Sequence, residues 1–129
     1  MKKIRHRFEF EIPIYEWDVK VIRMQLGHSS HRLPHELVDE LENDFIDELM
    51  DDINSGGTFG HYFTYPFRRR AILIVCARDY DGPEYVNILA HETNHMIDRI
   101  LGHASVDDTE ARSYLTGFIY EQYRREGLI

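Results

Sequence analysis

Residues 83–101, PEYVNILAHETNHMIDRIL, decide how this chain folds. Their apolar side chains recur with helical spacing on one side, while His91 and His95 fall nearly opposite. Pro83 suits the first position of a helix, and Gly102 marks its end. The spacing therefore predicts a helix from Pro83 to Leu101 with two imidazoles on its polar side. The apolar side is formed by Val86, Leu89, Ala90, Thr93, Met96, Ile97, Ile100 and Leu101.

The five residues His91-Glu92-Thr93-Asn94-His95 match the HExxH pattern of hydrolytic zinc sites. Imidazoles at positions i and i+4 of a helix lie one turn apart, so both reach a single ion. Glu92, about 100° further round the helix, can act on a water molecule held by that ion without being a ligand. The motif predicts a Zn²⁺-dependent hydrolase with His91 and His95 as metal ligands and Glu92 as the catalytic general base. The alternative is a chance match in a chain with eight histidines.

A catalytic zinc ion usually has three protein ligands and one open position. Glu110 is the predicted third ligand, because it begins a second helical pattern after a reversal near Gly102. An extended run from Gly102 to Asp107 would bring Glu110 level with the imidazoles. The stretch Asp107 to Glu110 is also typical of a capping box, with Asp107 as the N-cap. A purely structural role for Glu110 therefore stays open, as do Asp107, Asp108 and, less favoured, His103 as the ligand.

The segments His91–His95 and Asp108–Tyr114 resemble the zincin superfamily of metallopeptidases, and within it the glutamate-ligand branch, the gluzincins. The likeness covers about the C-terminal third of the chain. It looks most like the minimal members, the ImmA/IrrE-type proteins and short phage-associated metallopeptidases. The resemblance implies a small sheet packed on the active-site helix, with His91, His95 and Glu110 on zinc and Glu92 as the base in peptide hydrolysis.

The extended metzincin pattern is absent, since Asp98 and Leu101 stand where that pattern has glycine and histidine. Asp98 is one turn past His95, where it would either orient an imidazole or face solvent. A donor for the tetrahedral oxyanion is expected from residues 59–62 or from Tyr114.

Alternation of apolar and polar residues predicts strands over 3–12, 15–21, 58–65 and 70–77, the first two as a hairpin. The last of these is apolar on both faces, so it is expected to be central in the sheet. The more polar 58–65 segment is predicted to be an edge strand that holds a peptide substrate. Helical spacing predicts one helix over 34–53, ended by Ser55-Gly56-Gly57.

A C-terminal helix is predicted after Asp107, and Gly117 is expected to allow its close approach to the first helix. Its apolar face would consist of Ala111, Tyr114, Leu115, Phe118 and Ile119. Together these elements predict a single α+β domain over residues 1–129. Its sheet would be small, mostly antiparallel and packed on the HExxH helix.

Composition narrows the class of function. The formal charge of −8 opposes nucleic-acid binding, and no apolar run is long enough for a membrane span. With no secretion signal, a cytoplasmic protein is predicted. The single cysteine, Cys76, is expected to be a buried hydrophobe, which makes a cysteine protease improbable. Acidic residues concentrate on the 34–53 helix and arginines at Arg68, Arg69 and Arg70.

The sequence favours a zinc metallopeptidase acting on a peptide or protein substrate. The alternative is a non-catalytic zinc-binding, assembly or regulatory protein on a zincin scaffold, related to phage or prophage proteins. Glu92 favours the enzyme, because a structural zinc site closes its fourth position and needs no base. A zinc deaminase is disfavoured because its Pro-Cys-x-x-Cys ligand pair is missing.

Overall fold

In the computed structural model, which describes residues 4–25, 39–78 and 82–129, four strands form one mixed sheet between helices. The order across the sheet is β1-β2-β4-β3. The pairs β1–β2 and β3–β4 are antiparallel, whereas β2 and β4 run parallel. The predicted α+β class is confirmed. The elements are β1 (Ile4–Ile12), β2 (Trp17–Gln25), α1 (Asn43–Ser55), β3 (Phe59–Tyr65), a 3₁₀ turn (Pro66–Arg68), β4 (Arg70–Ala77), α2 (Pro83–His103) and α3 (Thr109–Arg125).

Strand β4 is the centre of the fold, as its sequence predicts. Every residue from Ala71 to Ala77 is buried. Because side chains alternate along a strand, Leu73 and Val75 pack against α2 and α3, whereas Ile72 and Ile74 face α1. The sheet therefore separates two hydrophobic cores.

The predicted helix over 34–53 is not continuous, although residues 34–38 lie outside the described part of the chain. It is interrupted at Leu41 and Glu42, and α1 begins at Asn43. The Tyr65 hydroxyl fills the break, because it accepts a hydrogen bond from the Glu42 amide at 3.1 Å and donates to the Glu40 carbonyl at 3.2 Å. A side chain of β3 thus compensates for the hydrogen bonds that are lost where the helix is interrupted.

The link between α2 and α3 is a tight turn, not the expected extended run. Helix α2 continues past Gly102 to His103, and Ser105 adopts a left-handed conformation with φ of 57°. The Val106 amide then donates to the Leu101 carbonyl at 2.9 Å, as in a Schellman motif. Helix α3 consequently starts beside the end of α2.

Two side-chain contacts hold α3 against α2. The Arg112 guanidinium binds the Asp98 carboxylate, so Asp98 ties the helices together instead of orienting an imidazole. In the core, the hydroxyls of Thr93 and Tyr123 are hydrogen-bonded at 2.9 Å. Gly117 does not mediate a close approach, because a Cβ atom built there meets nothing within 4 Å.

The predicted apolar faces are correct except at their margins. Val86 and Tyr114 are 47% and 78% exposed, while Tyr85 and Tyr123 are fully buried in the same core. Within the described ranges, no helix combines the length and apolarity that crossing a bilayer requires.

Cys76 tests the central position of β4. Its side chain is buried, and burial raises the pKa of the thiol to about 11. We expect alkylation by iodoacetamide at pH 8 to be slower than for an exposed cysteine by on the order of a hundredfold, because the thiolate is the reactive form. Mass spectrometry with and without urea measures this. Equal rates in the two conditions would contradict a buried β4.

Candidate metal site and substrate groove

The two histidines of the HExxH motif converge on one point. Their Nε2 atoms are 3.1 Å apart, and their ring planes are nearly perpendicular. Two nitrogen ligands at about 2.0–2.1 Å from a tetrahedral zinc ion lie about 3.3 Å apart. His91 is exposed and His95 half-buried, so their shared point opens to the surface. The donor pair fits a zinc ion with an accessible coordination position.

The orientation of His95 is fixed from the sheet. Its ring stacks on that of Tyr62 in β3, with centroids 5.1 Å apart and planes only 15° from parallel. Offset stacking of this kind restrains rotation about the side-chain bonds. The histidine pair is thereby held in register with the middle of β3.

Glu92 lies beneath the histidines and is only 8% exposed. Burial raises the pKa of its carboxyl group, and the Asp52 carboxylate adds to the rise; the imidazoles of His91, His95 and His61 oppose it without cancelling it. A carboxylate with a raised pKa is a better proton acceptor at neutral pH.

Gly60 allows Glu92 to occupy this position. A Cβ atom at Gly60 would lie 2.6 Å from Ile88 Cγ2 and 2.7 Å from Glu92 Cγ, too close for van der Waals contact. The missing side chain therefore lets α2 approach β3 at the level of the motif. The close approach predicted at Gly117, between α2 and α3, is not found, and the close contact of α2 is instead with β3 at Gly60.

A groove of about 400 Å³ follows β3 past these residues. Among the described strands β3 pairs only with β4, so it is an edge strand, as predicted. Helix α1 forms one wall of the groove and α2 the other. It is lined by Phe45, Glu48, Gly60, His61, Tyr62, Phe63, Thr64, Glu92, His95 and Arg99.

One contact on the α1 side of β3 was not predicted from the sequence. His61 projects toward α1, where its Nε2 contacts the Asp52 carboxylate and its ring stacks on Phe63. No local pattern links Asp52 to the HExxH motif, because the two meet only across the sheet edge. Arg99 was also missed, although its position one turn after His95 is a signal that helical spacing could have supplied.

Of the three predicted metal ligands, His91 and His95 lie together and Glu110 does not join them. Glu110 lies exposed in the first turn of α3, and its amide donates to Asp108 Oδ1 at 3.1 Å. Among the described residues, no third His, Cys, Asp or Glu joins His91 and His95 in a group arranged for a metal ion. The tight turn after His103 explains why Glu110 does not join the histidines, since it places the start of α3 beside the C-terminal end of α2.

The alternative ligands have other contacts. Asp108, not Asp107, is the N-cap of α3. His103 packs edge-on against Trp17, with ring centroids 5.6 Å apart. The candidate oxyanion donors lie in different places. Tyr114 lines a separate groove beside Tyr15, whereas His61 and Tyr62 line the groove that contains Glu92 and His95.

Two converging imidazoles, a buried carboxylate and an open strand edge are the features on which a function can be proposed. Comparison with protein-family models, curated proteins and solved structures finds no match for this chain.

Gly60→Ala tests the close approach of α2 to β3. We expect the free energy of unfolding to fall by about 1–3 kcal/mol, because the added methyl group overlaps Ile88 and Glu92. Gly117→Ala is the matched control, since its Cβ enters open space within a helix and should stabilise by about 0.5–1 kcal/mol. Urea denaturation measures both. Equal effects of the two substitutions would show that Gly60 is not a contact point.

Proposed function

We propose that this protein is a zinc-dependent metallopeptidase of the zincin type, with His91 and His95 as metal ligands and Glu92 as the general base. One observation carries the proposal: the two Nε2 atoms converge at 3.1 Å, and Glu92, the residue after His91, is buried against Gly60 of β3. Neither an isolated histidine pair nor a solvent-exposed glutamate would have this chemistry.

When bound, the zinc ion would polarise the scissile carbonyl group and lower the pKa of a water molecule. Glu92 supplies the proton transfer: its carboxylate accepts a proton from the attacking water and returns it to the leaving amine. Its raised pKa supports both steps, because the group exchanges a proton more readily near neutral pH than an ordinary glutamate. Gly60 holds the carboxylate close to the strand that would carry the substrate.

The substrate in this proposal is an extended polypeptide that adds to the edge of β3 that no described strand occupies. Backbone hydrogen bonds to an edge strand give affinity without demanding a particular sequence. Side chains of the added strand would alternate between the α1 wall, with Phe45 and Glu48, and the α2 wall, with His95 and Arg99. The groove therefore supports a peptide substrate over a small metabolite.

Glu110 is retained as the proposed third ligand, although it lies exposed at the start of α3. The competing function is a non-catalytic protein that binds zinc for assembly or regulation. One observation favours it, namely that no third ligand group accompanies His91 and His95 among the described residues. Metal content and turnover together distinguish the two. The predicted cytoplasmic location and phage relation remain predictions.

Metal content is the first test of the ligand set. In protein purified without an affinity tag and supplied with zinc, elemental analysis should give about one zinc per chain. His91→Ala and His95→Ala should abolish binding, Glu110→Ala should weaken it, and Glu92→Gln should retain it. His103→Ala is the matched control, because this histidine packs on Trp17 outside the site. A natural chain without zinc would refute the metal site, and full retention in Glu110→Ala would remove Glu110 from it.

Turnover is the second test. Glu92→Gln keeps the shape of the side chain but removes its basicity, so hydrolysis of a peptide library should fall by roughly 10²–10⁴-fold with zinc still bound. Glu126→Gln, an exposed position near the C-terminus, should leave the rate unchanged. A zinc-loaded natural chain that cleaves no peptide would favour the non-catalytic function, and a fully active Glu92→Gln variant would exclude the mechanism.

A further inference from the structure

Two turns meet at the end of the sheet that lies away from the start of α2. The β1–β2 turn covers residues 13–16, and the Pro66–Arg68 turn joins β3 to β4. Arg69 Nη1 contacts Glu16 Oε1 at 2.8 Å, and the Asp18 amide donates to the Arg69 carbonyl at 2.9 Å. These contacts hold the two turns side by side as one surface, which we call the end surface.

Phe67 projects from the end surface into solvent. Its side chain is 104% exposed, and Ile14 on the adjacent turn is 81% exposed. A fully hydrated phenylalanine forgoes the favourable free energy that burial of its ring would contribute. Next to it in sequence, the exposed Arg68 adds a positive charge, whereas Arg69 is paired with Glu16. Exposed aromatic side chains and arginines are enriched at protein interfaces, so Phe67 with Arg68 is a candidate anchor.

A complementary depression lies beside it. An apolar groove of about 350 Å³ runs between the β1–β2 turn and α3, with Pro13 and Tyr15 on one side and Ala111, Tyr114 and Phe118 on the other. A cavity of about 150 Å³ is enough to hold benzene, so the groove has room for a phenyl ring. Tyr114 on its rim is 78% exposed, so the groove is open to an entering side chain.

The charges around the groove are opposite to those around Phe67. Asp107 and Asp108, at the exposed start of α3, are close in sequence to the groove-lining Ala111. The projecting Phe67 with Arg68, and the apolar groove with the acidic residues near it, are on the same end of the molecule. A surface that carries both complementary parts can pair with a copy of itself about a two-fold axis.

We propose that the end surface is the interface of a homodimer, in which Phe67 of each copy enters the apolar groove of the other. Arg68 of each copy then faces the acidic start of the other copy's α3. This interface does not depend on the proposed peptidase activity, since its residues lie outside the groove along β3. Each phenylalanine buries about 150–250 Å², so the interface is small and we expect a dissociation constant in the roughly micromolar range.

Sedimentation equilibrium of the full chain from about 1 to 200 µM tests the proposal, with that range chosen to span the expected constant. The natural chain should change from monomer to dimer. Phe67→Ala should weaken the dimer at least tenfold, as for a typical interface hot spot, without loss of fold because the side chain makes no core contact. Val86→Ala, a 47% exposed apolar residue on the first turn of α2, is the matched control and should have no effect.

A mixing experiment identifies the groove as the site that receives Phe67. Ala111→Trp fills the groove and should also weaken self-association, with circular dichroism verifying its fold. Mixing it with Phe67→Ala should restore a heterodimer, because one intact Phe67 can then enter one intact groove. Arg68→Glu should also weaken the dimer; because the Arg68 guanidinium lies over the Tyr65 ring, circular dichroism verifies the fold of this variant as well.

A natural chain that stays monomeric throughout this range would overturn the proposal, even if Phe67 then proved to bind vesicles or another protein. So would a dimer that Phe67→Ala leaves intact, or one that Val86→Ala weakens equally. Failure of the mixed variants to associate would exclude insertion of Phe67 into the groove.

Discussion

The contact between Gly60 and the side of α2 is the constraint on which the site depends. Ile88 and Glu92 occupy the space that a side chain at position 60 would need. The gap between these side chains of α2 and the backbone of β3 is therefore too small for a methyl group. This approach buries Glu92, and burial is the main reason that the pKa of its carboxyl group is raised. It also brings His95 within stacking distance of Tyr62. One absent side chain thus sets the position of the carboxylate and of an imidazole.

The groove follows from the sheet topology. Because β2 pairs with β1 on one side and with β4 on the other, β3 pairs with the far side of β4 and is an edge among the described strands. Helices α1 and α2 pack on opposite faces of the sheet and both line the groove beside that edge. Polar groups from both faces of the sheet therefore line one groove, with Glu48 on α1 and His95 and Arg99 on α2. A central strand at this position would leave no room for either a ligand or a substrate.

Local patterns predicted most elements of the fold, because helix and strand periodicity depends on near neighbours in sequence. The helix that carries His91 and His95 and the buried strand over 70–77 are where spacing and apolarity place them. Contacts between distant residues were not predictable in this way. The expected 34–53 helix is interrupted where the hydroxyl of Tyr65, a residue of β3, bonds to the backbone of Glu40 and Glu42. The position of Glu110 likewise depends on a turn whose left-handed residue is a serine, which lacks the usual glycine signal.

The hydrogen bond between Thr93 and Tyr123 has a consequence for the mobility of α3. It lies in the core, where burial raises the pKa of the Tyr123 hydroxyl, and breaking it would leave two polar groups unpaired at a cost of about 1–3 kcal/mol. The second half of α3 is therefore anchored to the residue next to Glu92. Among the described contacts, the first turn is tied to α2 by a surface ion pair between Arg112 and Asp98, which is worth little in water. Moving Glu110 relative to the imidazoles therefore costs less free energy by unwinding that turn than by sliding the whole helix. The first turn of α3 can move while the rest of the helix stays in place.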